Sequence, residues 1–185
     1  MPFATSPELR SAWVEFLSEV DRQLRRPVEL HCLGGFVAAM QYQLDRPTND
    51  LDYIEIVPQD AMQVLEEIAG GESQLAKKYR LNFHHVLVAS LPESYHERLT
   101  ELLPGRFRNL RMFALDPHDL ALSKLTRNSP VDREDVAHLA STVPLDPVLL
   151  RTRYHQELRP IVMGDPERHD RTLEMWIEAY FPSRT

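Results

Sequence analysis

The sequence predicts an α/β (α+β) protein, a small mixed sheet flanked by helices in the first two thirds of the chain with a helical part at the C-terminus. Two observations carry this. Short segments that are apolar-rich or alternate polar with apolar recur at 28–33, 50–57, 83–89 and 110–115, whereas from Pro117 onward only helical patterns follow. Four prolines stand directly behind a capping residue, in Ser6-Pro7, Asp116-Pro117, Asp146-Pro147 and Asp165-Pro166. An oxygen-bearing side chain at the N-cap satisfies orphan amides, and proline at the next position pre-sets φ for the first turn, so each pair predicts a helix start.

In chain order, Leu9, Trp13, Phe16, Leu17, Val20 and Leu24 recur at three- and four-residue steps and predict an amphipathic helix from Pro7 to about Leu24. Val28 to Leu33 reads as a strand that runs through a Gly34-Gly35 turn into a helix over 36–42. After the polar turn 45–49, Asp50 to Val57 alternates as a half-buried strand does. A helix over about 61–69 is stopped by Gly70-Gly71, and two further strands, Phe83 to Ala89 and Leu110 to Leu115, are joined by an irregular connection containing Pro92 and Pro104-Gly105. No linker-like composition or internal repeat divides the chain. The expected organisation is therefore an α/β core over 1–115 and a helical part over 116–185 packed on it as one compact unit.

With 185 residues and 43% hydrophobic side chains, the chain has enough apolar material to bury a core. Its formal charge of −7 excludes non-specific coating of nucleic acid, yet leaves room for a local basic patch. The single cysteine, Cys32, excludes an internal disulfide and any multi-cysteine zinc site and suits a reducing compartment. No secretory pattern or membrane-length apolar run is present, so a cytoplasmic location with no membrane partner is the expectation.

The sharpest constellation is Gly34-Gly35 followed, after one predicted helix, by Arg46-Pro47-Thr48-Asn49-Asp50-Leu51-Asp52. Residues i and i+2 of a strand share a face, so Asp50 and Asp52 stand side by side. Their mutual repulsion is most simply relieved by a divalent cation. Glycines at a strand-to-helix turn let backbone amides approach a phosphate. Metal ligands beside a phosphate cradle suggest phosphoryl or nucleotidyl transfer. A Rossmann reading fails because Gly34-Gly35 is not part of Gly-x-Gly-x-x-Gly, and a P-loop fails because no Gly-Lys-Ser/Thr follows. Taken singly, Asp-x-Asp also describes a solvated strand and Gly-Gly an ordinary turn.

This order of residues resembles the signature of the DNA polymerase β-like nucleotidyltransferases. The second half, from Asp116-Pro117-His118-Asp119 through Lys124 and Arg127 to Asp132-Arg133-Glu134-Asp135, resembles the lysine-bearing helix and aspartate motif of minimal nucleotidyltransferases related to AbiEii-type abortive-infection toxins. The resemblance covers roughly 28–140. It implies a nucleoside triphosphate substrate cradled by Gly34, Gly35 and Thr48, and Mg²⁺ (or Mn²⁺) held by Asp50 and Asp52. It also implies phosphate contacts from Lys124 and membership of a toxin–antitoxin pair with a partner protein; beside that lysine, Arg127 would add positive charge at the nucleotide, and Asp132 and Asp135 would contact the nucleotide or orient the lysine. The acceptor stays open among an RNA end, a protein and a small molecule. Apart from the family, Leu120, Lys124 and Arg127 would share a helix stripe, and the alternative reading of these cations is ion pairing with Asp132 and Asp135.

One departure stands out. Superfamily members usually carry a third carboxylate on a later strand, but residues 83–90 contain none, and the nearest acid is Glu93 beyond Pro92. Either Glu93, Asp132 or a water substitutes, or the chain is a catalytically weak or inactive nucleotide- or partner-binding module. His84 and His85, adjacent in a strand, face opposite sides and cannot chelate one metal together. They, His31, His118 and His138 are expected to be packing or surface residues, since none has zinc-site spacing. Cys32 is expected to be a small core residue. The basic stretch of Arg151, Arg153, Tyr154, Arg159, Arg168 and Arg171 could hold an RNA end, against a solvated helix face as the default.

Overall fold

The computed structural model describes residues 7–181, so Ser6, the first predicted cap, lies outside the described residues. The chain is mixed α/β, with two compact units. The first comprises residues up to 88 and 99–115; the second comprises 89–98 and 116 onward.

The first unit begins with α1 (Pro7–Gln23), β1 (Val28–Leu33), α2 (Gly34–Met40) and β2 (Asp50–Val57). It continues through α3 (Met62–Ala69), α4 (Gln74–Tyr79), β3 (Asn82–His85), β4 (Thr100–Leu102) and β5 (Leu110–Ala114). The sheet order is β3-β2-β1-β5-β4. β1 pairs antiparallel with β2 and parallel with β5, β2 pairs parallel with β3, and β4 pairs antiparallel with β5.

Each strand sorts its side chains by period two. Val28, Leu30, Cys32, Leu51, Tyr53, Leu110, Met112 and Ala114 are buried. The other face carries charge: Arg111 binds Glu29 at 2.7 Å and Glu101 at 3.1 Å, and Asp50 and Asp52 lie on the same polar side of β2. The aromatic face of α1 seals the apolar side. Trp13 meets Phe36 of α2 at 4.7 Å, and Phe16 meets Tyr79 of α4 at 5.8 Å and Phe83 of β3 at 5.7 Å, all edge-on, the geometry that ring quadrupoles favour. Asp21, near the end of α1, accepts backbone N–H bonds from Asn109 and Leu110 at 2.6 and 2.8 Å and so anchors the start of β5.

Three local expectations are corrected, and one element, α4, stands where the sequence shows no pattern. The strand expected over 83–89 spans only 82–85. A register shift in the β1–β2 ladder leaves Ile54 unpaired beyond the last β3 partner, Tyr53, so β2 offers no further straight edge; Val86 makes one last bond to Tyr53 O, and Leu87 is 83% exposed. The glycine turn expected before α2 is compressed to one residue: β1 ends at Leu33, and Gly34, at φ +75°, is already the first residue of the helix. The irregular connection contains β4, three residues long and too short to show a pattern. Six-residue α4, capped by Ser73 accepting from Ala76 N, falls below the length at which helical periodicity declares itself.

The second unit holds α5 (Pro117–Leu122), α6 (Pro130–Thr142), α7 (Pro147–Arg153), a π-turn over Tyr154–Leu158 and α8 (Pro166–Tyr180). Asp116, Asp146 and Asp165 cap α5, α7 and α8 as their sequence context predicts, each accepting a backbone N–H two residues on. The core is built from Leu120, Leu122, Val136, Leu139, Tyr154, Leu158, Leu173 and Trp176. Segment 89–98 is tied to these helices by charge. Arg98 forms a forked contact with the fully buried Asp119, its Nε donating at 2.8 Å, and reaches Glu157 at 2.8 Å; Arg153 reaches Asp119 at 2.9 Å and Asp116 at 2.6 Å. Buried charges need such pairing, and a guanidinium fork supplies it in one plane. Among the described residues, no helix is long and apolar enough to cross a membrane.

Candidate active site

The candidate site in the first unit is assembled from the end of β1, the start of α2 and the neighbouring strands β2 and β3. Gly34 has φ +75°, a left-handed conformation that an L side chain resists. Space reinforces conformation there: a Cβ on residue 34 would lie 3.3 Å from both Cβ and Cγ of Asp52 and nearer still to Oδ2. Gly35 faces the other motif residue, Thr48, whose Oγ1 would stand 3.5 Å from a Cβ at position 35. The two glycines therefore lie against the two ends of the Thr48-x-Asp50-x-Asp52 run.

The loop before β2 is fixed by short-range bonds. Thr48 Oγ1 donates to Asp50 O at 3.1 Å, and the indole N–H of Trp13 donates to Thr48 O at 3.1 Å, which ties the loop to the core of α1. Asp50 and Asp52 occupy one polar side of β2, opposite Asn82 and His84 of β3. Asp50 is exposed, and Asp52 is half-buried under Gly34.

His84, which sequence reasoning did not place in the site, lies beside Asp52, with Nδ1 2.9 Å from Oδ1. His85 turns to the other face and stacks on Tyr53 at 5.1 Å, as alternation in a strand requires. The doublet alone held the signal, because one of two adjacent histidines must share the face of Asp50 and Asp52 if the strands pair; the parallel register that brings His84 level with Asp52 is a long-range fact.

The lysine and aspartate motif occupies the second unit. The shared helix stripe expected for Leu120, Lys124 and Arg127 does not form: α5 ends at Leu122, and 123–127 continue in tighter i→i+3 turns, with Lys124 N bonding Ala121 O and Leu125 N bonding Leu122 O. Asn128, at φ +46°, closes the stretch. The Lys124 ammonium, 3% exposed as a residue, donates to Asp135 Oδ2 at 2.7 Å and lies 3.9 Å from Asp132 Oδ1. Asp132 is fully buried. It accepts from Arg127 Nε at 2.7 Å, from Ser129 N at 2.9 Å and from Ser129 Oγ at 2.7 Å, completing a capping box at the start of α6. Burial opposes its charge, but the bonds from Arg127 and Ser129 outweigh burial and hold its carboxyl at about 2. The ion-pair alternative for these four side chains is thus formed within the unit.

The remaining candidates sort simply. Glu93 is exposed in a turn of segment 89–98. Arg151, Arg153 and Arg159 of the basic stretch are paired with Glu174, with Asp116 and Asp119, and with Asp170. His118 is buried, with Nδ1 3.0 Å from its capping neighbour Asp116, and its Nε2 accepts from Asp146 N at 3.0 Å. Cys32 is a buried core thiol, as expected from sequence, and desolvation pushes its ionisation far above the ordinary thiol range.

Among the described residues no three His, Cys, Asp or Glu side chains are grouped to hold a metal ion. Two hard carboxylate oxygens donors on one strand face, with Asp52 packed against a glycine backbone, still suit Mg²⁺, which binds through one or two carboxylates and completes its shell with water and substrate phosphates.

A family model for nucleotidyltransferases of unknown function (DUF6036) matches residues 12–182. The chain belongs to this family. The match spans both units of this DUF6036 nucleotidyltransferase, so the β2 carboxylates and the Lys124 motif fall within one family domain. Neither the curated proteins nor the solved structures contain a significant match.

Proposed function

We propose that this DUF6036 nucleotidyltransferase is a minimal, metal-dependent enzyme of the DNA polymerase β-like and AbiEii-related kind, which transfers a nucleoside monophosphate from a nucleoside triphosphate to an acceptor hydroxyl. The observation that carries the reading is the pairing of Gly34 with Asp52 and of Gly35 with Thr48, which puts side-chain-free backbone beside one carboxylate of the Asp50–Asp52 run and beside the threonine that precedes it. Asp50 and Asp52 would hold Mg²⁺, which when bound neutralises triphosphate charge. Gly34 and Gly35 admit the phosphates to within hydrogen-bond distance of the backbone, and Thr48 braces the loop that carries the carboxylates. The acceptor hydroxyl forms a new O–P bond at the α-phosphorus, the bond to the β-phosphate oxygen breaks in line, pyrophosphate leaves and the hydroxyl proton passes to solvent. Holding the reactants in that geometry supplies most of the acceleration such transfers need.

A second reading, a nucleotide-binding module with little turnover, is favoured by one observation: β3, with the sequence Asn82-Phe83-His84-His85, carries no carboxylate. One experiment separates the two. α-Labelled nucleoside triphosphates are offered with cellular RNA and protein acceptors. The enzyme reading expects Mg²⁺-dependent label transfer that Asp50→Ala abolishes, whereas nucleotide binding with no transfer to any acceptor supports the module.

A further inference from the structure

We propose that His84 is a positioning residue for Asp52, acting through a strand-to-strand hydrogen bond. The inference rests on the metal-site reading of Asp50 and Asp52 above.

Both oxygens of Asp52 are engaged within the first unit. Oδ1 lies 2.9 Å from Nδ1 of His84, and Oδ2 packs against the backbone of Gly34. An ionised carboxylate has only acceptors, so the shared hydrogen belongs to Nδ1 and the imidazole donates. The arrangement is built into the sheet. Asp52 and His84 are register partners in the parallel β2–β3 ladder. On either side of His84, Phe83 is buried against Phe16 and His85 stacks on Tyr53, so His84 is held on the polar face. A one-residue slip of β3 would turn Phe83 into solvent, and core packing therefore enforces the pairing.

The consequence concerns rotation. A carboxylate on an exposed strand turns about its terminal torsion with little resistance. Held at Oδ1 by His84 and confined on its Oδ2 side by Gly34, the Asp52 carboxylate has its rotation restricted, and part of the ordering that metal binding would need is already in place. Partners that orient a metal's ligand are commonly worth 10- to 100-fold in affinity.

Amide isosteres separate the two ring nitrogens. Asparagine at 84 places its NH₂ where Nδ1 stands, and glutamine places its NH₂ where Nε2 stands. Mn²⁺ alone is titrated into the full-length chain and free Mn²⁺ is followed by electron paramagnetic resonance, in the parent, Asp52→Asn, His84→Ala, His84→Asn and His84→Gln. The side chain of His84 is 63% exposed, so these variants keep the core, and a thermal melt of each checks that. The expected result is loss of binding in Asp52→Asn, a 10- to 100-fold weaker dissociation constant in His84→Ala and His84→Gln, and recovery to near the parent value in His84→Asn. Parent-like binding in His84→Ala alongside loss in Asp52→Asn overturns the positioning role and leaves the metal reading standing. Recovery in His84→Gln but not in His84→Asn overturns it in favour of Nε2 as the coupled atom. Parent-like binding in Asp52→Asn overturns the metal reading and the inference together.

Discussion

Gly34 and Asp52 are in van der Waals contact across the junction of β1 and β2, so close that residue 34 has room for a hydrogen and nothing larger. A left-handed φ at the same residue makes the restriction double. A short strand–glycine–helix connection and a neighbouring carboxylate are thereby a single structural object.

Gly34→Ala is therefore expected to cost about 1 to 2 kcal/mol from the left-handed backbone, with a further penalty as Asp52 is displaced. Gly35→Ala meets only an ordinary contact with Thr48 and should leave stability within about 0.5 kcal/mol of the parent. Urea melts of the two variants measure the contrast. If Gly35 admits a phosphate, nucleotide affinity falls in Gly35→Ala even though stability does not.

Lys124 and Asp135 form a buried pair, so removing either side chain takes a charge partner from the other where water cannot replace it. Lys124→Ala is expected to lose about 3 to 5 kcal/mol, while Lys124→Met combined with Asp135→Leu recovers most of that. Denaturant unfolding of the single and double variants gives the coupling directly.

Asp132 predicts how stability responds to acid. Its folded-state carboxyl titrates at about 2, below the ordinary 3.8, so its contribution is fully present above about pH 4 and is lost as pH falls towards 2. The difference amounts to about 2 kcal/mol, and Asp116 and Glu157, also held below their ordinary values, act with the same sign. Urea midpoints should be flat from pH 7 to 5 and drop below pH 4. Arg127→Met should move that drop to higher pH, because it removes the principal charge holding Asp132 ionised.

Cys32 is buried, and its thiol is pushed up far beyond neutrality, so it should resist Ellman's reagent in the native chain and react with one equivalent once unfolded in guanidinium. Rapid native-state reaction would mean that β1 opens readily.

Features set by neighbours in sequence were legible before the fold was known. The stripe of α1, the alternation of β2 and the aspartate caps of α5, α7 and α8 depend on spacings of one to four residues, and each is where its residues predict. Asp50 and Asp52 share a polar side for the same reason. What local pattern could not carry was pairing at a distance. β3 stops at His85 because β2 shifts register against β1, and the apolar run 86–88 contains no sign of that. His84 enters the site through a parallel register with β2, thirty-two residues away in the chain. Arg98 joins Asp119 and Glu157, 21 and 59 residues away in the chain, contacts that no periodicity announces. Lys124 fits a motif by spacing, but its partner in the unit is decided by the end of α5 at Leu122.

The proposed metal–nucleotide site consists of Asp50 and Asp52, with Gly34 against Asp52. Calorimetric titration of Mg²⁺–nucleoside triphosphate into the parent chain and into Asp52→Asn tests it most directly. Micromolar binding by the parent is expected to need Mg²⁺ and to disappear in Asp52→Asn while the melting temperature stays within a few degrees. Equal binding by both proteins, or none by a folded parent with any of the common triphosphates, would contradict it.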